Sequence, residues 1–203
     1  MNASNAIKKP PQGRPRSQAS HDAIVAATIE ILRQSNYNDV SIEAITAKAG
    51  VGKATIYRWW PNKVSLVVEV LLELSLPPQA KFSGKNIRQY LYRCLKGCYQ
   101  TMLQGKLADV ISGVIADTSS DDNLRRVFYE GFFEKLQKVG IDDLDRAIDA
   151  GELRPDLNKI AFLEQLFGPL YYRALIARIP VDDHYINALL DNILPAALSR
   201  IKE

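Results

Sequence analysis

Residues 41–60, SIEAITAKAGVGKATIYRWW, constrain the fold of this chain most, because they predict two short helices joined by a tight glycine turn. Ser41 can cap the first helix, since its hydroxyl can accept a hydrogen bond from a free N–H of the first turn. Gly50 tolerates the positive φ that ends many helices. The second helix begins at Gly52 or Lys53 and is short, basic and aromatic. Such a pair of helices presents its second member to the DNA major groove.

The second helix has an inward and an outward face. Ile56 and Trp60 lie four residues apart and are predicted to face the core. Pro61 marks the end of the helix. The side chains left to project outward are Lys53, Thr55, Tyr57, Arg58 and Trp59.

The sequence GVGKATIYRWWPNK, followed by an apolar helix, resembles the DNA-binding domain of TetR-family transcriptional regulators. The resemblance runs from about His21 to Leu74 and includes the preceding helix. The sequence departs from the family pattern at Gly52, where many members carry a helix-capping Ser, and at Trp59, where His is frequent. The residues that fall in the expected order are Gly50, Val51, Lys53, Thr55, Tyr57, Pro61 and Lys63.

The resemblance implies a role for each outward residue of this segment. It places Lys53, Ala54 and Thr55 near the bases, and Tyr57 and Lys63 on the DNA backbone. Two further candidates for backbone contact are Arg58 and Trp59. For Tyr57 and Trp59, local packing is the alternative. Lys63 also lies at a helix N-terminus, where N–H groups and a cation can share one phosphate.

The distribution of charge supports an N-terminal nucleic-acid surface. The first 75 residues carry nine Lys or Arg and six Asp or Glu, so the whole net charge of +3 lies there. Residues 1–19 are predicted to form a flexible basic arm, because they are rich in Pro and contain no acidic residue. Arg14 and Arg16 are candidates for phosphate or minor-groove contacts. The alternative is a solvated tail.

The composition also bounds the class of protein. The 203 residues form one large domain or two small ones, and 47% of them are hydrophobic, which is enough to bury a core. No apolar run approaches the length of a membrane span, and the N-terminus lacks the apolar core of a signal peptide, so we expect a cytoplasmic protein without a membrane partner. Cys94 and Cys98 lie four residues apart on one helix face, where a disulfide is geometrically poor. We therefore expect reduced thiols.

No sequence feature supports an enzyme. The chain has no Gly-rich phosphate loop, no Ser-His-Asp set and no metal-ligand spacing. The acidic run of Asp142, Asp143, Asp145 and Asp149 is predicted to be a solvated helix face. We expect no catalytic residue, no metal and no cofactor.

The rest of the chain predicts an all-α fold of two parts. Residues 20–75 would form a three-helix DNA-binding domain with its linking helix, and residues 76–203 a helical regulatory and dimerisation domain that begins near Pro77-Pro78. Apolar residues at helical spacing predict helices over residues 86–104, around 107–115, from 121 to 151 with a kink at Gly140, from 157 to 179 with an interruption at Gly168-Pro169, and from 182 to 201 with a bend at Pro195.

The C-terminal part also resembles the ligand-binding half of one TetR subgroup, through GELRPDLN, LFGPLYYRALI and a final apolar helix. The resemblance implies dimerisation. A closed two-fold dimer would pair two recognition helices with two half-sites. The residues predicted to form a four-helix contact between protomers are Leu166, Phe167, Leu170, Ile186, Leu189, Leu190, Ile193 and Leu194; the alternative is that they fill the core of one protomer.

By resemblance, the C-terminal helices hold a small-molecule pocket. Its candidate lining residues, each of which could instead belong to the core, are Tyr90, Cys94, Tyr99, Phe128, Phe132, Tyr171 and Tyr172. The expected function is a homodimeric repressor that an effector releases from an operator in double-stranded DNA. Two alternatives stay open: a redox switch at Cys94 and Cys98, and an architectural DNA-binding protein without an effector.

Overall fold

The computed structural model describes residues 17–75 and 81–199, and within these ranges the chain contains α-helices and short helical turns but no strand. The α-helices are α1 Gln18–Gln34, α2 Ile42–Ala49, α3 Lys53–Trp59, α4 Lys63–Ser75, α5 Ile87–Met102, α6 Lys106–Thr118, α7 Asp122–Phe128, α8 Glu134–Asp149, α9 Lys159–Tyr171 and α10 Asp183–Ile193. The predicted all-α class is confirmed.

Helices α1 to α3, together with the linking helix α4, form the predicted helix-turn-helix unit. The Ser41 hydroxyl accepts a hydrogen bond from the N–H of Ala44 at 3.1 Å, which caps α2. Gly50 ends α2 with φ at 65°, a conformation that glycine adopts without strain. Ile56 and Trp60 are both buried, as their spacing predicts. The recognition helix α3 is therefore anchored on one face by apolar packing.

Helices α7 and α8 run on from each other, as the continuous apolar stripe predicts. Asp121 caps α7 by accepting hydrogen bonds from the N–H groups of Asn123 and Leu124. The interruption is a π-helical turn at Tyr129–Phe133, whereas Gly140 lies inside α8. A Cβ at Gly140 would approach Leu163 Cδ1 to 2.9 Å. This glycine thus permits close packing of α8 on α9, and the kink expected at Gly140 stays a prediction.

The last two helices end differently from the predictions. Pro169 lies inside α9, and the irregular segment is a second π-helical turn at Tyr172–Ala177. Helix α10 stops at Ile193, because Pro195 lies in the 3₁₀ turn Leu194–Ala196 and has no N–H to continue the helix. The predicted end near residue 201 lies outside the described residues.

The helix-turn-helix unit packs on the C-terminal helices at two points that glycine makes possible. A Cβ at Gly113 of α6 would lie 2.5 Å from the ring of Tyr37, and one at Gly131 would lie 2.6 Å from Val68 Cγ1 on α4. The predicted boundary at Pro77-Pro78 lies outside the described residues. The limits of the two domains remain a prediction.

Candidate nucleic-acid interface and ligand cavity

The outward face of α3 is the candidate nucleic-acid surface. Lys53, Ala54 and Arg58 are exposed, and the Tyr57 side chain is 52% exposed. Thr55 is half-buried at the edge of this face. An exposed large aromatic residue between cations gives α3 both a stacking surface and positive charge, which suits a groove lined by phosphates.

Lys53 already has a partner, because its ammonium group forms an ion pair with the Glu43 carboxylate of α2. The hydrogen bond from Lys53 lowers the pKa of Glu43, and the same contact raises the pKa of Lys53. Both groups face solvent, where such pairs exchange easily. The ion pair therefore holds Lys53 across the α2–α3 corner and must open for a base contact.

Trp59 combines surface exposure with local packing. Its ring meets the ring of His21 edge to face at 4.7 Å between centroids, and it is half-buried against the core. His21 also stacks on Trp60 at 4.9 Å, and its Nε2 lies 2.8 Å from Glu69 Oε1. The Trp60 indole N–H donates to Glu69 Oε2 at 2.8 Å. His21 thereby ties α1 to α3 and α4.

Lys63, the predicted phosphate ligand at the start of α4, lies in a cluster that the sequence does not reveal. Its Nζ is 3.9 Å from the centre of the Tyr37 ring and 3.7 Å from Asp117 Oδ2 on α6. The Tyr37 hydroxyl donates to the same Asp117 oxygen at 2.7 Å. Burial, followed by this hydrogen bond, raises the pKa of Tyr37. Lys63 thus joins the helix-turn-helix unit to α6, and Arg14 and Arg16 lie outside the described residues.

A cavity of about 830 Å³ opens among α5, α6, α8, α9 and the π-helical turns. Of the predicted lining residues, Tyr90, Cys94, Tyr171 and Tyr172 border it. The other three do not, because Phe128 and Phe132 stack on each other in the core and Tyr99 lies on another face of α5. Lining residues that are absent from the predicted pocket set include Cys98, Met102, Phe133, Leu136 and Leu163.

Asp143 is buried at the cavity wall, so the prediction that the acidic run is a solvated face is wrong at this position. Its Oδ1 accepts a hydrogen bond from the N–H of Phe82 at 3.0 Å and pairs with Arg146. Its Oδ2 accepts a hydrogen bond from the Tyr90 hydroxyl. These partners compensate the buried charge.

Burial raises the pKa of two thiols and two phenols at the cavity wall. Burial raises the pKa of Cys94 to about 11 and that of Cys98 to about 12. Burial also raises the pKa of Tyr90 and of Tyr171. Since a thiol reacts through its thiolate, these values disfavour Cys94 and Cys98 as a redox switch.

Five of the eight residues predicted at the dimer contact fill the core of one protomer: Leu166, Leu170, Ile186, Leu190 and Leu194. Phe167 lines the cavity. Leu189 and Ile193 are half-buried on α10. The predicted dimer surface is therefore reduced to one face of α10. On α9, Leu166 and Leu170 lie four positions apart and face the core of the same protomer.

In the parts of the chain that the structure describes, no group of three or more His, Cys, Asp or Glu is placed to hold a metal ion. None of the helices between residues 17 and 75 or between 81 and 199 is long and apolar enough to cross a membrane.

The sequence matches two family descriptions. Residues 24–70 match "Bacterial regulatory proteins, tetR family", and residues 85–193 match "Tetracyclin repressor-like, C-terminal domain". The first match covers α2, α3 and most of α1 and α4, and the second covers α5 to α10. Together they include the candidate nucleic-acid surface of α3 and most of the residues that line the cavity.

Curated relatives and solved structures agree with these matches. The chain is 30% identical over 187 residues to the uncharacterised HTH-type transcriptional regulator YdeS of Bacillus subtilis, covering 89% of this chain and 91% of that protein. It is 25% identical over 188 residues to the DNA-binding transcriptional repressor TetR of Mycobacteroides abscessus, covering 88% and 94%. The crystal structure of the TetR family transcription regulator SCO0332 shares the fold with a TM-score of 0.77 at 24% identity, covering 88% and 98%.

Proposed function

The chain belongs to the TetR family of helix-turn-helix transcriptional regulators, and we propose that it is a homodimeric repressor that a small-molecule effector releases from its operator. The observation that carries this proposal is the exposed face of α3, with Tyr57 and Arg58 turned outward while Ile56 and Trp60 hold the helix in place. A helix anchored in this way can enter the major groove without unfolding its domain.

Affinity and specificity would come from different residues. Phosphate neutralisation supplies most of the affinity of a DNA-binding protein, and contacts to base edges supply specificity. Lys53, Ala54 and Thr55 at the start of α3 are proposed to approach the bases. Tyr57, Arg58, Trp59 and Lys63 are proposed to contact the backbone, with Arg14 and Arg16 of the arm as further contacts.

A mobility-shift titration on DNA from just upstream of the coding region tests operator binding, with a scrambled duplex as control. The double variant Tyr57→Ala, Lys63→Ala should lose specific retardation. The matched variant Tyr129→Ala, Lys138→Ala should keep it, because Tyr129 is as exposed as Tyr57 but both residues lie outside the helix-turn-helix unit. Equal loss in the two variants would contradict the assignment of α3 as the recognition helix.

One helix-turn-helix unit covers only a half-site, so a two-fold dimer is proposed. The half-buried Leu189 and Ile193 leave an apolar face on α10 for a partner copy. Light scattering at micromolar concentration should give twice the chain mass, and Leu189→Glu, Ile193→Glu should give the mass of one chain. A wild-type protein with the mass of one chain would contradict the dimer.

The repressor role and the effector are proposed on separate grounds. One relative is described as a DNA-binding transcriptional repressor, and the cavity of about 830 Å³ falls within the range of about 300–1,000 Å³ typical of small-molecule sites. A reporter gene behind the operator should be expressed more strongly when the regulator is deleted. Lower expression after deletion would indicate an activator.

A further inference from the structure

We infer that the cavity takes an uncharged, largely aromatic molecule whose polar edge donates hydrogen bonds and does not accept them. This inference rests on the proposed effector-dependent function, because it names the chemical class of the effector. It follows from three properties of the cavity wall: its charge, the direction of its hydrogen bonds and the side chains at its mouth.

The interior of the cavity offers no unpaired charge to a ligand. Three charged residues line it, and two of them, Lys81 and Glu164, are exposed to solvent. The third, Asp143, is paired with Arg146 and accepts a hydrogen bond from Tyr90. A charged ligand would lose its hydration without gaining a partner inside, and that loss disfavours ions strongly.

The serine hydroxyls of the cavity already donate hydrogen bonds to other groups of the protein. Ser112 donates to the carbonyl of Ala108 at 2.9 Å, and Ser119 donates to that of Ala116 at 2.7 Å. Ser75 Oγ lies 2.5 Å from the carbonyl oxygen of Leu71 and 3.0 Å from Met102 Sδ, two acceptors that share its single proton. A hydroxyl has one proton and two lone pairs, so each of these serines presents only a lone pair to a ligand.

The tyrosines of the cavity follow the same rule. Tyr90 donates to Asp143, and Tyr171 is hydrogen-bonded to Cys98. Gln137 carries both a donor and an acceptor and sets no preference. Tyr172 lies at the mouth, where its side chain meets water. Apart from Gln137, the weak S–H donors Cys94 and Cys98 and the solvent-exposed Lys81, the wall therefore offers acceptors, and a ligand N–H or O–H would find partners that a ligand carbonyl would lack.

Aromatic and aliphatic side chains form the rest of the wall. The rings of Phe133 and Tyr171 meet edge to face with centroids 5.5 Å apart, a geometry that a ligand ring can extend. The large apolar residues exposed around the mouth are Ile115, Val139, Tyr172 and Ile176. Such a patch marks a place where apolar molecules bind.

Three fluorescent probes that share the N-phenylnaphthylamine skeleton test the preference for a neutral ligand and the preference for a hydrogen-bond donor separately. N-phenyl-1-naphthylamine is uncharged and donates one N–H, its N-methyl derivative lacks that donor, and 1-anilinonaphthalene-8-sulfonate adds a negative charge. Fluorescence titration of the full chain should show the uncharged amine binding about fivefold more tightly than the N-methyl derivative, the value expected for one neutral hydrogen bond. The uncharged amine should also bind roughly a hundredfold more tightly than the sulfonate, because the negative charge of the sulfonate would be left unpaired in the cavity.

Variants of this chain place the probe and test the donor preference. Ala116→Phe, which fills the cavity from α6, should weaken all three probes. Ser75→Ala, Ser112→Ala removes two acceptors and should bring the amine down to the affinity of its N-methyl derivative. Ser199→Ala, outside the cavity, should leave the ranking unchanged. Thermal unfolding of each variant shows that it is folded.

Each outcome bears on one part of the inference. Sulfonate binding equal to that of the amine overturns the neutral class, and equal binding of the N-methyl derivative overturns the donor preference. Probe binding unaffected by Ala116→Phe overturns the location. Operator release is measured separately by mobility shift, so a ligand that binds the cavity and leaves DNA affinity unchanged refutes the proposed function while the chemical class stands.

Discussion

Replacing Gly113 with alanine should destabilise the contact between α6 and the helix-turn-helix unit. A Cβ at this position would lie 2.5 Å from Tyr37 Cδ1 and 2.7 Å from both Cβ and Cγ of Tyr37, whereas carbon atoms in contact are normally about 3.5–4.0 Å apart. The Tyr37 ring has no free space to move into, because it is 2% exposed and its hydroxyl is bonded to Asp117 at 2.7 Å.

The size of the effect follows from two opposing terms. Overpacking a filled core costs about 1–3 kcal/mol, and alanine regains about 1 kcal/mol of helix propensity over glycine. We expect a net loss of up to about 2 kcal/mol in the free energy of unfolding. For a chain of this size the Tm should fall by up to roughly 8 °C.

Thermal unfolding followed by far-UV circular dichroism measures this loss, and a double-mutant cycle identifies its cause. In a Tyr37→Ala background, which removes Cδ1 and Cγ and leaves only the Cβ contact, Gly113→Ala should cost clearly less than it costs in the wild-type protein. Ser112→Ala, the neighbouring position on α6, provides a control for helix propensity. The steric argument fails if Gly113→Ala lowers the Tm equally with and without the Tyr37 ring.

Three further predictions follow from individual side chains. Lys63→Ala should reduce the slope of log affinity for the operator against log salt by about 0.9 per protomer, while Lys138→Ala should not; equal slopes would remove Lys63 from the phosphate contacts. Because burial raises the pKa of Cys94 to about 11 and of Cys98 to about 12, iodoacetamide should modify both slowly at neutral pH and faster as the pH approaches 11; neutral-pH rates equal to those of a free cysteine would contradict this. Ser41→Ala should lower the free energy of unfolding by about 1 kcal/mol in chemical denaturation, and an unchanged midpoint would show that the cap contributes nothing.

The parts of the fold that depend on local chemistry could be predicted from the sequence. Ser41 as a cap, Gly50 in the left-handed conformation and the inward pair Ile56 and Trp60 all follow from rules that act within a few residues. The contact between Tyr37 and Asp117 could not be predicted, because its two partners lie 80 residues apart in the chain.

The cavity shows why lining residues are hard to separate from the core. Phe132 is fully buried in the core, and Phe133, the next residue, lines the cavity. The π-helical turn Tyr129–Phe133 inserts an extra residue into the helix, which rotates every later side chain relative to a regular α-helical pattern. The sequence shows only the apolar stripe, which predicts Phe128 and Phe132 as pocket residues and does not distinguish Phe133.

Helix α6 borders the cavity on one face and contacts the helix-turn-helix unit on another. Ser112, Ala116 and Ser119 face the cavity, whereas Gly113 and Asp117, on a different face, touch Tyr37 and Lys63 of the helix-turn-helix unit. Packed interfaces do not deform continuously, so a ligand that displaces α6 would have to change both the Gly113 contact and the Asp117 ion pair. The residue proposed to bind phosphate and the residues proposed to meet the effector are thereby connected through side chains of a single helix.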